Sequence, residues 1–267
     1  EAASRRSFGG PRKPLLVSVR SGAPVSMPGM MDTLLNIGLC DATVHGLIRL
    51  TGNPRLAWDS YRRLVQQFAE VVHGADAAPF RAAIEESLRE AKVDNARELD
   101  FRQLAQLTRE FLAIFREATG QPFPQDPLEQ AEAAIAAVFA SWNSERAVEY
   151  RRLNDLPDSL GTAVTVQRMV FGNAGGTSGA GVAFTRDPAG GDNRLYADFL
   201  FNSQGEDVVS GRFTANDAAR LQAVLPDVCA RLEAVRGLLE AEFHDAQEFE
   251  FTVQDGELFL LQTRSGK

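Results

Sequence analysis

Four polar residues near the end of the sequence have the types and the spacing for metal and phosphate chemistry. Glu248 and Glu250 alternate with phenylalanines, and Gln262 and Arg264 follow the dipeptide Asp-Gly at 255–256. Side chains alternate between the faces of a strand and an Asp-Gly turn joins strands into a hairpin, so all four are predicted to lie alongside one another. Carboxylate and amide oxygens suit Mg²⁺ held jointly with phosphates, and a guanidinium can fork onto a phosphate. The alternative interpretation is the solvated polar face of an edge hairpin.

A glycine-rich stretch precedes this hairpin, in FGNAGGTSGAGVAFTRDP. Within ten positions it contains five glycines and two hydroxyl residues: Gly172, Gly175, Gly176, Thr177, Ser178, Gly179 and Gly181. Unencumbered backbone N–H groups and hydroxyls can cradle phosphate oxygens. The stretch is neither a Walker A motif nor a dinucleotide-binding fingerprint, so a flexible hairpin connection remains the alternative.

Arg20 stands where a predicted strand ends. It follows the apolar run LLVSV and begins the stretch RSGAPVSMPGMMD, which is rich in small residues. At such a position a guanidinium can be presented to a ligand with little steric cover. The alternative interpretation is a partner in a salt bridge, which is the more common role of a single arginine.

Five segments have apolar residues at helical spacing. The clearest starts at Asn53 and Pro54, which are good N-cap and first-turn residues, and ends at Gly74. The others are 80–91, a segment between Asp100 and Gly120, a segment that begins at Asp126 and Pro127, and 227–243. Residues 41–119 are therefore interpreted as a helical subdomain.

The hydrophobic period changes to two beyond Thr162. This pattern predicts strands in TAVTVQRMVF, GVAFT, LYADFLFN, QEFEFTV and ELFLLQ. Nearer the start, the segment from Pro14 to Leu39 is predicted to be a strand that runs into a loop.

Charge and composition exclude several classes of protein. The 267 residues carry 28 Lys and Arg against 36 Asp and Glu, a net charge of −8. A general nucleic-acid surface is therefore not expected, and an anionic ligand would need a local cluster of cations. The start, EAASRRSFGGPRKP, is basic but leads into no signal-peptide core, and no apolar run of about 18 residues indicates a membrane span. We expect a cytoplasmic or organelle-stromal protein, and Cys40 and Cys229 have no metal or disulfide spacing.

Together these segments resemble the nucleotide-binding domain of pyruvate, phosphate dikinase, a member of the ATP-grasp superfamily. The resemblance extends over almost the whole length, through segments such as PLLVSVRSGAPVSMPGMMDTLLNIGL, SWNSERAVEYRRLNDLPDSLGTAVTVQRMVFGN, GGTSGAGVAFTRDPAGG and EFEFTVQDGELFLLQTRSGK. Phosphoenolpyruvate synthase is similar in architecture, but the MPGMMDTLLNIGL form resembles the dikinase. The implied fold is α+β, a mostly antiparallel ATP-grasp sheet lobe with an inserted helical subdomain. Residues 1–40 and 120–267 would form the lobe, and 41–119 the insertion.

The resemblance also implies roles for individual residues. Arg20 and Arg264 match the family's phosphate-contacting arginines, and Glu250 and Gln262 match its magnesium ligands. Glu248 stands where the family usually has aspartate. The loop over the triphosphate corresponds to Gly176–Gly181, including Thr177, Ser178 and Gly179, and the adenine-lining strand to Gln167, Met169 and Val170. ATP is the implied substrate and Mg²⁺ the implied metal, with AMP, phosphate and pyrophosphate as the other small ligands.

Two positions depart from the family pattern. Asp198 stands where a glutamate that contacts nucleotide is usual, and Phe213 replaces an arginine. These departures keep open a second interpretation, a nucleotide-binding or regulatory module without catalysis.

No histidine has the setting of the family's phosphate carrier. His45, His73 and His244 lie in predicted helices or at helix ends, where a structural or solvent-facing role is expected. The carrier histidine is therefore expected in a phosphohistidine domain of the same longer polypeptide, with pyruvate bound elsewhere. The family's N-terminal stretch, with its catalytic lysine, is expected to precede the chain. Homodimer formation through such further domains is compatible with the resemblance, and partners of nucleic acid or membrane are not expected.

Overall fold

The structure is a computed structural model that describes residues 1, 4–205, 208 and 218–266. Its fold is α+β. Two compact units divide the chain, Glu1–Met169 and Val170–Lys267. The strands are β1 (Ser7–Phe8), β2 (Pro14–Leu15), β3 (Val17–Gly22), β4 (Thr33–Ile37), β5 (Ala163–Arg168), β6 (Gly179–Phe184), β7 (Tyr196–Phe201), β8 (Gln247–Gln254) and β9 (Glu257–Ser265). The helices are α1 (Asp41–Thr51), α2 (Pro54–His73), α3 (Ala78–Ala91), α4 (Phe101–Thr119), α5 (Pro127–Ala140), α6 (Glu145–Leu153), α7 (Ala218–Val224) and α8 (Pro226–Phe243).

In the first unit the long helices begin and end at the predicted capping residues. The Asn53 side chain accepts a hydrogen bond from the Leu56 amide, and Gly74 ends α2 with φ 65°. Asp100 caps α4 by accepting from the amide of Gln103, and Gly120 ends it with φ 75°. In both helices a side-chain oxygen accepts a hydrogen bond from a first-turn amide that has no partner within the helix. A glycine in the left-handed conformation then ends each helix.

The first unit also contains a three-stranded antiparallel sheet in the order β4–β3–β5. Strand β4 lies inside the segment that the sequence predicted to be a loop as far as Leu39, and it pairs Thr33 with Arg20. That prediction was wrong for 33–37, because cross-strand pairing with β3 stabilises a five-residue strand whose own sequence carries a weak signal.

The second unit is a four-stranded antiparallel sheet in the order β7–β6–β8–β9. One face packs against α7 and α8 through a core that includes Phe199, Phe249 and Phe251, each at most 1% exposed, together with Val228 and Leu232 of α8. This burial agrees with the predicted alternation of phenylalanines with glutamates in β8.

Two glycines of β6 are explained by this core. Gly181 pairs with Phe199 on one side and Phe251 on the other, and the two rings stack 5.7 Å apart. A Cβ at Gly181 would lie 2.5 Å from the Phe251 ring, and one at Gly179 would lie 2.1 Å from the Phe199 ring. The glycines therefore leave room for rings from the flanking strands to lie across β6.

None of the helices described is both long and apolar enough to cross a lipid bilayer.

Candidate functional site

The opposite face of this sheet carries the predicted polar residues in one cross-strand row. Asp198 of β7 pairs with Val182 of β6, Val182 with Glu250 of β8, and Glu250 with Gln262 of β9. Directly paired residues project to the same side of an antiparallel sheet. The register therefore brings Asp198, Glu250 and Gln262 onto one face, and the adjacent row adds Glu248 opposite Arg264.

A β-bulge lies beside this row. Glu250 pairs with Gln262, but the next residue, Phe251, pairs with Leu260, so Leu261 is the extra residue on β9. Bulges bend a strand, increase its twist and re-aim neighbouring side chains, and they are common next to functional sites.

Arg264 bridges the two glutamates. Its Nη2 donates to Glu250 Oε1 at 2.5 Å, and its Nε lies 3.9 Å from Glu248 Oε1. All three side chains are about a quarter exposed. In this structure the guanidinium thus contacts the proposed metal ligand Glu250, an arrangement that the sequence did not predict.

Asp198 lies two strands away from Glu250, roughly 10 Å in the hydrogen-bonding direction of the sheet. Burial raises the pKa of its carboxyl, and a hydrogen bond with Tyr196 lowers it in part. A raised pKa at a polar face is a feature of ligand sites but also of structural ones. Phe213, the other departure from the family pattern, lies outside the described residues.

The glycine-rich loop is fastened to the turn of the terminal hairpin. Ser178 is fully buried, and its hydroxyl accepts a hydrogen bond from the amide of Asp255 at 2.9 Å. The amide of Gly256 donates to the carbonyl of Thr177 at 3.0 Å. This hydroxyl therefore serves as a structural link, and its contact with a phosphate stays a prediction.

The loop is shorter than the sequence predicted. It ends at Ser178, because Gly179 and Gly181 pair in strand β6. At the other end, a Cβ on Gly172 would lie 2.2 Å from the carbonyl oxygen of Ser203, so this glycine allows a close backbone approach.

Gly175 and Gly176 have no such structural reason. No described atom lies within 4 Å of a Cβ built on either residue, and neither has a left-handed φ. Gly176 and the adjacent Thr177 are exposed. The open part of the loop, 175–177, is thus where bare backbone N–H groups and a hydroxyl face solvent.

The remaining predicted residues lie at β3 and β5. Arg20 of β3 pairs with Thr33 and with Thr165, and Gln167 of β5 pairs with Ser18. The amide of Met169 donates to the carbonyl of Leu16 at 2.9 Å. Met169 ends the first unit and Val170 begins the second, so the unit boundary falls within the segment expected to line adenine.

The three histidines lie in helices or at helix ends, and His45 and His244 are exposed. His45 lies on α1 and packs edge-on against Trp58, and His244 ends α8 in a left-handed conformation. His73 ends α2 beside Phe68 and Phe115, where burial lowers its pKa.

The described residues do not form a metal site made only of His, Cys, Asp and Glu side chains. Among the described residues, no group of three or more His, Cys, Asp and Glu side chains is placed to hold a metal ion. The donor set on the sheet face instead combines two glutamates with an amide oxygen, which is suited to a hard cation shared with a ligand's own oxygens.

Comparison with known families gives the class of this α+β chain. Residues 3–226 match the family "Pyruvate phosphate dikinase, AMP/ATP-binding domain", and the chain belongs to this family. The match ends before the terminal hairpin.

The alignments with similar full-length proteins cover the whole chain or nearly all of it. Pyruvate, phosphate dikinase of Clostridium symbiosum is 47% identical over 268 residues, covering 100% of this chain and 31% of that protein. The enzyme of the same name from Rhizobium meliloti is 44% identical, with the same coverages. Chloroplastic pyruvate, phosphate dikinase 1 of Arabidopsis thaliana is 47% identical, covering 98% of the chain and 27% of the relative. The chain thus spans about a third of the length of these relatives, which are phosphotransferases.

Proposed function

We propose that the chain binds ATP with Mg²⁺ and supplies the ATP half-reaction of a pyruvate, phosphate dikinase. In that half-reaction ATP and inorganic phosphate phosphorylate a carrier histidine and release AMP and pyrophosphate. The carrier would belong to a phosphohistidine domain of the same longer polypeptide, and pyruvate would bind to a further domain. Residues 1–40 and 120–267 would form the nucleotide-binding lobe, with 41–119 as its helical insertion.

The observation that carries this proposal is the cross-strand row on the second unit's sheet. Three oxygen-bearing side chains, Asp198, Glu250 and Gln262, share one face, and Glu248 and Arg264 form the adjacent pair. A solvated edge hairpin of β8 and β9 would not require a polar residue of the same cross-strand row on β7. A phosphate–metal site needs several oxygen-bearing side chains on one face.

Each residue would have a distinct part in binding. Glu250 and Gln262 would hold Mg²⁺, which neutralises charge on the phosphates as they separate. Arg20 and Arg264 would bind phosphate oxygens, and Glu248 would orient Arg264 through their ion pair. The loop from Gly176 through Thr177 and Ser178 to Gly179 and Gly181 would approach the triphosphate. Gln167, Met169 and Val170 would line the adenine, and Asp198 would contact the nucleotide.

The activity is tested by following the products of ATP in the full-length polypeptide that contains this chain, so that the expected catalytic lysine and the phosphohistidine domain are both present. Radiolabelled ATP and phosphate should yield AMP and pyrophosphate in amounts equal to the carrier histidine. Glu250→Ala should abolish this yield because a hard anionic ligand is lost. Glu257→Ala, which removes an exposed carboxylate at the far end of the same hairpin, is the matched control and should retain it. Release of ADP instead, or equal yields from both variants, would contradict the proposal.

A further inference from the structure

A second group of cations lies in the first unit, at the basic start that the composition singled out. Arg12, Lys13 and Arg49, with Leu50, line a cavity of about 600 Å³. Arg12 and Lys13 also line an adjoining cavity of about 610 Å³ together with Arg5 and Arg6. We call Arg6, Arg12, Lys13 and Arg49 the basic platform.

The platform is built on a fixed loop rather than on a mobile tail. Strands β1 and β2 pair in parallel, and the amide of Ser7 donates to the carbonyl of Lys13 at 3.0 Å. Helix α1 closes on the loop so tightly that a Cβ at Gly46 would lie 2.5 Å from the carbonyl oxygen of Pro11. Arg49 of the same helix donates to that carbonyl at 2.6 Å. The backbone that carries Arg12 and Lys13 is therefore held in place before any ligand arrives, which lowers the entropic cost of binding.

The platform has an excess of positive charge. Within the part of the chain that the structure describes, none of its four cations forms an ion pair with a carboxylate. Burial and the neighbouring Arg168 both lower the pKa of Arg6, so an anion here would relieve repulsion. Of the residues that the structure describes, Glu1 is the only acidic one that lines either cavity. In a chain of net charge −8, this local excess is unusual.

The platform is separate from the proposed phosphate contact at Arg20. Lys13 precedes β2, and Arg20 lies near the far end of β3, seven residues further along a nearly continuous extended segment. At about 3.3 Å per residue the two side chains start roughly 20 Å apart.

We propose that the basic platform is a second anion site, which binds a small oligophosphate. Three guanidinium groups and one ammonium that line two shallow adjoining cavities can bind tetrahedral phosphate groups, onto which arginine forks with two hydrogen bonds. An acidic polypeptide would instead need an extended basic stripe. The proposal is independent of ATP binding at the sheet of the second unit.

Calorimetric titration of the chain with pyrophosphate, without metal or nucleotide, tests this site. The variant Arg12→Gln/Lys13→Gln removes two exposed cations that make no hydrogen bond in the structure, so it should fold normally. Its affinity for pyrophosphate should fall by at least about tenfold, since each lost charge-assisted contact is worth that much. The control variant Arg81→Gln/Arg116→Gln removes two exposed cations from α3 and α4 and should change affinity less than about twofold.

Arg20→Ala separates this site from the proposed nucleotide site. It should leave pyrophosphate binding at the platform intact, while Arg12→Gln/Lys13→Gln should leave binding of ATP with Mg²⁺ intact. The proposal is overturned if wild-type chain binds no pyrophosphate, if the platform and control variants lose affinity equally, or if Arg20→Ala removes all binding. Tighter binding of an oligoglutamate peptide than of pyrophosphate would also overturn it.

Discussion

Arg264 donates a hydrogen bond to Glu250 from the neighbouring strand and so contacts the carboxylate that we propose as a metal ligand. A guanidinium and a divalent cation bound to the same carboxylate repel each other. Binding of Mg²⁺ with ATP would therefore release Arg264 from Glu250 and free it to bind phosphate. In the absence of ligand, the ion pair between Arg264 and Glu250 stabilises the polar face of the second unit's sheet.

Arg264→Ala should therefore strengthen binding of a metal ion alone. Mn²⁺ in the absence of nucleotide should bind several-fold more tightly than to the wild-type chain, because the competing cation is gone. Electron paramagnetic resonance of free Mn²⁺ measures this directly. Arg186→Ala, which breaks the partly exposed pair of Arg186 with Glu240 on α8, is a matched control and should leave Mn²⁺ affinity unchanged. Unchanged or weaker Mn²⁺ binding in Arg264→Ala would contradict the exchange of cations.

The glycines of the loop and strand β6 should divide into two classes. Gly181→Ala should lower the free energy of unfolding by roughly 1–3 kcal/mol, since its methyl group would overlap the Phe251 ring. Gly175→Ala should change it by less than about 0.5 kcal/mol, because no described atom is near. Urea denaturation of the two variants provides the comparison. Equal losses would show that the packing of Phe199 and Phe251 over β6 does not require glycine.

The stability of the helical part of the first unit should depend on pH through Asp59. Burial raises the pKa of this carboxyl, but Arg62 and Arg63 outweigh burial and lower it to about 2. The folded pKa lies below the ordinary value of 3.8, so the ion-pair contribution is present above pH 3.8 and lost as the pH falls to 2.

Asp59→Asn should consequently lower the free energy of unfolding by about 3 kcal/mol at pH 7, because it leaves buried Arg62 without its carboxylate. The difference from wild type should shrink in chemical denaturation at pH 2.5. A difference that is the same at both pH values would show that folding does not lower the pKa of Asp59.

Local sequence signals predicted most of the fold. Asn53, Gly74, Asp100 and Gly120 set helix ends by capping, and period-two alternation predicted both the hairpin and its polar face. Helix α1 was not assigned, because it begins after Cys40, a residue type with no strong N-cap preference.

Tertiary contacts account for what the sequence did not predict. The bulge at Leu261 and the hydrogen bond from the Asp255 amide to Ser178 depend on register and on residues far apart in the chain. The sequence placed Glu250 and Arg264 on one hairpin, but only the structure shows that they contact each other. Sequence patterns report faces and periods, whereas side-chain pairing is decided by packing.

Calorimetric titration of the chain with ATP in the presence of Mg²⁺ is the most direct test of the proposed site. Binding to the wild-type chain should weaken by at least about tenfold in Glu250→Ala and in Gln262→Ala, because each removes a proposed ligand of the metal. Glu257→Ala, on the same hairpin, should bind as the wild type does. Wild-type affinity in Glu250→Ala, or a loss in Glu257→Ala equal to it, would contradict a nucleotide-binding role for the sheet face.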